Sequence, residues 1–264
     1  MAYQTGILDY KGSFKSIRNY KNVGDPKIYA SEKGGANRDL IMNNSVFART
    51  RENMNEFGGC GIAVQAIRHG LQHLIPEHTD THFTNRLMKI IKMINLKDEV
   101  GERGKRAIKI SFNKTMVKSL NLHEKRKIDF ELKRSTTQHH PDSRTEATIT
   151  VNGLNPGPRL VPGNAQYYRV INHLSIVSDY VYNVEGRSYN PLSSLGQMAA
   201  YVYSDYTAVN TPLTVELTAA FPNGTVLSEN DTVLQCVGIE FCNRAGTDGY
   251  VLYSTGSMLV YDVF

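Results

Sequence analysis

The chain has no tryptophan and only three cysteines, Cys60, Cys236 and Cys242. Thiols so spaced fit no disulfide framework and no paired zinc motif, which predicts buried free cysteines in a reducing compartment. No run approaches the roughly 20 consecutive apolar residues that a membrane helix needs, so no membrane span is expected. The opening "MAYQTGILDYKGSFK" lacks a basic segment followed by an apolar block. No secretory signal is therefore expected, and the expected location is the cytoplasm or the inside of an assembled particle or virion. Also missing are a Gly-x-Ser-x-Gly elbow, a Gly-x-Gly-x-x-Gly turn and a P-loop. The sequence accordingly reads as that of a protein that is not an enzyme and holds no cofactor.

Lysine is absent after Lys133. Residues 1–135 carry 25 Lys+Arg against 14 Asp+Glu, a net of +11, whereas residues 136–264 carry 5 against 11, a net of −6. Such asymmetry is a recognised hint of a nucleic-acid or membrane partner. It equally suits head-to-tail association of identical subunits, basic end to acidic end. The 264 residues, 41% of them hydrophobic, allow one large domain or two modest ones.

The start reads as β. "GSFKSIRNYKN" and "PKIYASEKGG" flank the turn "VGDP", which predicts a hairpin. Asn43, Asn44 and Ser45 then offer N-cap oxygens. Phe47, Met54, Phe57, Gly61, Val64, Ile67, Leu71 and Leu74 recur at three-or-four spacing, the stripe of one amphipathic helix that Pro76 ends. Thr79 or Thr81 is expected to cap a second helix, with Phe83, Leu87, Ile90, Ile91 and Ile94 on its apolar side, completing a helical hairpin. "RAIKISF" and "KRKIDFELKR" are then expected as strands, with "KTMVKSLNL" a short helical insertion between them. "TEATITVNG", "AQYYRVINHLSIVSDYVYN", "PLTVELTAAFPNG", "TVLQCVGIEFCN" and "GYVLYSTGSMLVYDVF" continue the strands. The predicted fold class is α+β, an N-terminal β-hairpin plus helical hairpin followed by an antiparallel β-sandwich. The boundary is expected near Glu102–Lys105, giving a basic domain over 1–105 and an acidic sandwich over 106–264.

The segment "FARTRENMNEFGGCG", residues 47–61, concentrates the candidate site residues. On a helix Arg49 faces Glu52 and Asn53, and Glu52 faces Glu56. No nucleophile accompanies the two carboxylates, so Arg49, Arg51, Glu52 and Glu56 read as an interface network and not as an acid–base pair. Helical glycines cost ~1 kcal/mol each relative to alanine. The run "GGCG" therefore calls for a packing reason, expected to be a close helix crossing. His69, His73, His78 and His82 cluster around Glu77 and Asp80. His69 and His73 have a spacing that can hold zinc or copper, but the Glu that a zincin places after its first His is missing. These histidines are expected to be polar helix edges without metal.

Lys11, Lys15, Arg18 and Lys21, interleaved with Tyr10 and Tyr20, are the candidate nucleic-acid contacts. The same pattern serves as a lysine-guarded sheet edge. Tyr167, Tyr168, Tyr180, Tyr182, Tyr189, Tyr201, Tyr203 and Tyr206 fall within 40 residues and suit either a ligand or glycan face or ordinary strand packing.

Lys33-Gly34-Gly35 followed by Phe47-x-Arg49-Thr50-Arg51-Glu52-Asn53-x-x-Glu56-Phe57-Gly58 resembles the signature of a family of uncharacterised bacterial proteins. The likeness spans about residues 11–75, including the preceding Lys11-Gly12-Ser13, and the β-rich tail agrees in style. Ala48 and the "GGCG" run depart from the pattern. The resemblance implies an architecture and no reaction. Together these features predict a structural subunit that self-assembles into a multi-copy particle, tube or filament, such as a phage or phage-like virion component. Its expected partners are itself and other particle proteins, with nucleic acid as a further partner. A nucleic-acid-associated protein and a ligand- or glycan-binding β-sandwich module are the alternatives.

Overall fold

A computed structural model describes residues 2–4, 10–245, 249–253 and 256–264. The chain is α+β and divides into two compact units, Met1–Arg51 and Glu52–Phe264. The division falls well before the change in composition near residue 105, because the long helices pack with the large sheets of the second unit. The charge does not divide there, because the basic excess runs on to residue 135. Residues 1–51 hold 9 Lys+Arg and 4 Asp+Glu, a net of +5, and residues 52–264 hold 21 of each. Residues 106–264, expected to be acidic, carry 14 of each; the acidic excess begins only after residue 135.

The first unit is an antiparallel sheet of β1 (Ala2–Tyr3), β2 (Gly12–Phe14), β3 (Ile17–Lys21) and β4 (Ile28–Glu32), in the order β1-β4-β3-β2. The predicted hairpin is the β3–β4 pair, with Tyr20 opposite Tyr29. A second hairpin, β2–β3, turns at Lys15, whose φ is 51°. Helix α1 (Arg38–Asn43) follows, capped by the Asn37 side chain accepting from the Leu40 N–H. A 3-10 turn at Ser45–Phe47, capped in the same way by Asn44, leads into α2 (Ala48–Gly70).

The second unit comprises most of α2, then α3 (Ile75–His78), α4 (Phe83–Leu96), α5 (Asp129–Ser135) and eleven strands. The strands are β5 (Thr136–His139), β6 (Glu146–Leu154), β7 (Tyr167–Ser178), β8 (Tyr180–Asn183), β9 (Ser188–Pro191), β10 (Ala199–Tyr203), β11 (Thr207–Ala208), β12 (Leu213–Ala220), β13 (Asp231–Ala245), β14 (Gly249–Leu252) and β15 (Ser257–Val263). A six-stranded antiparallel sheet is centred on the β7–β13 pair, with β10 and β11 on β7 and with β14 and β15 on β13. A three-stranded sheet, β12-β6-β5, packs against it, and β8–β9 is a separate hairpin.

Burial patterns show the layering. β7 and β13 are buried almost without interruption, as strands covered on both faces must be. One face meets the helices: Val64, Ile67, Leu87 and Ile91 pack with Ile171, Cys236 and Val260. The other meets the small sheet: Ile149, Val151 and Leu217 pack with Tyr168, Val170, Val237 and Ile239. Strand β12 alternates, because only one of its faces is covered. All three cysteines are buried free thiols. Burial pushes Cys236 up to about 12 and Cys60 and Cys242 up to about 11. No helix among the described residues is long and apolar enough to cross a membrane.

Several local expectations are corrected. Residues 106–112 form no strand and contribute one isolated bridge, Ile108 with Tyr180. "IDFEL" is the start of α5, whose first turn holds Asp129 and Glu131 and whose last holds Lys133 and Arg134, charges that complement the helix dipole. Pro76 opens α3 rather than ending α2, which already stops at Gly70. Neither Thr79 nor Thr81 caps α4; the Asp80 carboxylate accepts from the His82 N–H and from Arg86 at its start. "GYVLYSTGSMLVYDVF" is β14 and β15, and Ser254 and Thr255 between them lie outside the described residues.

Candidate functional site

The α2 stretch is only in part the outward network expected of it. Arg51 donates to the Ile41 and Asn44 carbonyl oxygens at 2.7 and 2.8 Å, stitching α1 to the start of α2. Arg49 is exposed. Glu52 lies 3.3 Å from Arg103. Glu56 is 1% exposed and does not face a neighbour. It accepts from Lys92 at 2.5 Å and from the Gly104 N–H at 2.7 Å, with Arg106 3.8 Å away. Burial alone would raise this carboxyl; the Lys92 and Gly104 hydrogen bonds and the two cations outweigh it and hold the group below its ordinary value. Glu56 is thus an internal clamp joining α2, α4 and the loop after α4.

The apolar stripe is rotated accordingly. The buried face of α2 runs through Glu56, Gly59, Cys60, Ala63, Val64, Ile67 and Gly70, while Met54 and Phe57 are more than half exposed. The glycines do not serve a helix crossing. A Cβ on Gly59 would lie 2.3 Å from the Tyr189 ring of β9, so this glycine admits an aromatic side chain.

The four histidines separate. His69 and His82 are exposed, whereas His78 is buried and His73 half-buried. Strand β7 brings in a further one, His173, whose ring centroid lies 4.9 Å from that of His73; Tyr201 lies 4.2 Å from His73 on another side. The His73 Nε2, the His78 Nε2 and both His173 ring nitrogens are enclosed without hydrogen-bond partners among the described residues, while the His78 Nδ1 lies 3.0 Å from the Leu74 carbonyl oxygen. Desolvation lowers all three, His78 to about 4 and His173 to about 3. No group of three or more His, Cys, Asp or Glu suited to a metal ion occurs among the described residues. His173 was overlooked in the sequence because it sits inside "VINHLSIV", an apolar run that reads simply as core.

The tyrosines divide too. Tyr168, Tyr180 and Tyr189 belong to the core. Tyr203 and Tyr206 flank the Arg169 guanidinium at 3.7 and 4.9 Å, Tyr206 stacks on Tyr250, and Glu240 fixes Arg169 at 2.7 Å.

The open surface lies in the first unit. Ile28 is its only buried residue among those described. One face of its sheet carries Phe14 opposite Ile17, 64% and 47% exposed, and Tyr10 beside them is 48% exposed. The opposite face carries Arg18, Tyr20 and Tyr29 in a ladder: Arg18 lies 5.8 Å over the Tyr20 ring, and Tyr20 stacks on Tyr29 at 6.0 Å. Arg18, Tyr20 and the Lys33-Gly34-Gly35 loop line a groove on this side. Lys11, Lys15 and Lys21 are exposed, with Lys15 over the Phe14 ring. The structure therefore places the four predicted nucleic-acid contacts on different sides of one small sheet. No family model, no curated protein and no solved structure matches the chain.

Proposed function

We propose that this chain is a structural subunit that self-assembles into a multi-copy particle, tube or filament, of the kind that builds phage or phage-like virions. The carrying observation is the first unit, a four-stranded sheet with a single buried residue among those described and an exposed Tyr10–Phe14–Ile17 patch. A sheet gains stability by covering an apolar face, and units of this size generally need a partner to supply the missing burial. A second copy is the partner that charge favours. The net +5 of residues 1–51 complements the net −6 of residues 136–264 on a neighbour. In the second unit, Met54, Phe57 and Ile62 are exposed on α2 and open to contact of their own.

Sedimentation velocity and negative-stain microscopy of the full chain at physiological salt test the reading. The wild type is expected to form large species. Phe14→Ser combined with Ile17→Ser is expected to shift it to monomers without moving the main melting transition. A wild type that stays monomeric at high concentration contradicts the proposal.

The Arg18–Tyr20–Tyr29 ladder favours a second reading, association with single-stranded nucleic acid, in which a base stacks on the tyrosine face and Arg18 and Lys33 meet phosphates. Binding of a poly(dT) oligonucleotide is then expected to fall steeply with salt, and Arg18→Gln to reduce the log–log slope by about 0.7. A slope unchanged by Arg18→Gln rejects this use of the face.

A further inference from the structure

The groove between α2 and α4 is chemically one-sided. It encloses about 460 Å³, within the range of small-molecule sites. Val64, Ile75 and Met88 give it apolar walls, Arg68 and His69 line it beside the neutral Gln65, Gln72 and Thr84, and no carboxylate does among the described residues. The Arg68 Nε is shut off from solvent and has no hydrogen-bond partner among the described residues. That atom is out of reach of a groove ligand, but a guanidinium carries four further N–H donors on its two terminal nitrogens, and these can meet an acceptor. Elsewhere in this unit the half-buried arginines have theirs: Arg86 has Asp80, and Arg169 has Glu240.

The glycine run completes the picture. A Cβ on Gly61 would meet only the Met88 methyl, at 3.8 Å, so no packing contact demands glycine there. Its effect is to leave the groove floor bare. Gly61 and Arg68 are seven residues apart, two helical turns, and so lie on the same side of α2.

We propose that this groove binds a small organic anion, a carboxylate on a short aliphatic chain. The carboxylate sits end-on across the two terminal nitrogens of the Arg68 guanidinium, one of the two-pronged geometries that arginine favours. The chain lies over Gly61 against Val64, Ile75 and Met88. Every residue named for this site belongs to the second unit.

Titration calorimetry of the full-length protein with octanoate tests it, using acetate as the head group alone and octanol as the chain alone. Saturable octanoate binding is expected, with acetate and octanol each weaker by about tenfold or more. Arg68→Gln is expected to weaken octanoate by about tenfold while leaving the unliganded melting temperature in place. Gly61→Leu fills the floor and is expected to abolish binding. Should that variant fold poorly, Gly61→Ala, which makes only an ordinary contact with Met88, is expected to weaken binding measurably. No octanoate binding up to about 10 mM, equal binding of octanol, or undiminished binding by Arg68→Gln would each overturn the proposal.

Discussion

Acidification from pH 7 to pH 5 is expected to destabilise the 52–264 unit by about 2 kcal/mol for each of His78 and His173. Both are buried, and their folded-state values, about 4 and about 3, lie below the ordinary 6.5. The unfolded chain therefore binds more protons below pH 6.5. The stability from keeping these rings neutral is fully present above that pH and is lost as the pH falls toward the folded values. The surroundings offer little relief. Arg169 and the neighbouring histidines oppose a new positive charge, and Glu240, 3.8 Å from His78, already pairs with Arg169. Glu77 is the other carboxylate that favours the charged form of His78, while the Tyr201 ring lies tilted against His73. Ser175 and Ser257 are buried hydroxyls without partners among the described residues and bring no charge. Carboxylates such as Asp80, held low chiefly by Arg86 against the effect of burial, lose their contribution only below about pH 4, so the two windows separate. Urea unfolding at pH 7, 6 and 5 measures the effect. His173→Phe, which keeps a ring against His73, is expected to flatten the dependence. Stability that does not change between pH 7 and pH 5 would count decisively against this account.

Replacing Gly59 by alanine is expected to cost about 3 kcal/mol and to lower the melting temperature by roughly 6–12 °C. The added methyl would meet Cγ, Cδ2 and Cε2 of Tyr189 at 2.3–2.6 Å. Cγ lies next to the backbone of β9, so the ring cannot swing clear by rotation. Its hydroxyl is also anchored, donating to the Arg106 carbonyl oxygen at 2.9 Å. One glycine earlier the opposite holds. Nothing lies within 4 Å of a Cβ on Gly58, so Gly58→Ala is expected to stabilise by up to ~1 kcal/mol through helix propensity and reduced unfolded-state freedom. Thermal melts of the two variants side by side provide the comparison. Equal effects of the two substitutions would mean that Tyr189 does not constrain this turn of α2.

Much of the fold was legible where one rule acted alone. The α4 stripe of Phe83, Leu87, Ile91 and Ile94 is buried as its spacing required. β6, β7, β12 and β13 appear where β-branched and aromatic runs lay between turn residues. Legibility failed where two periods fit one segment. "IDFEL" alternates, yet its charges also suit the two ends of a short helix, and Leu132 and Ile128 pack onto Ile149 and Val151 from that helix. It failed again in α2, where a stripe through Met54 and Phe57 looked plausible because glutamate is seldom buried.

The sequence by itself determined the α+β class, the order of most elements, the free cysteines and a charge concentrated toward the start of the chain, because propensity, periodicity and net charge are local or additive properties. Only the tertiary structure decided which side of α2 is inside. That choice depends on Lys92, Arg106 and the Gly104 N–H arriving from 36 to 50 residues away to neutralise and hydrogen-bond Glu56. It also decided that Gly59 receives Tyr189 and that His73 meets His173, pairings 130 and 100 residues apart. Contacts between distant segments follow from how layers stack and strands register, which no local pattern encodes.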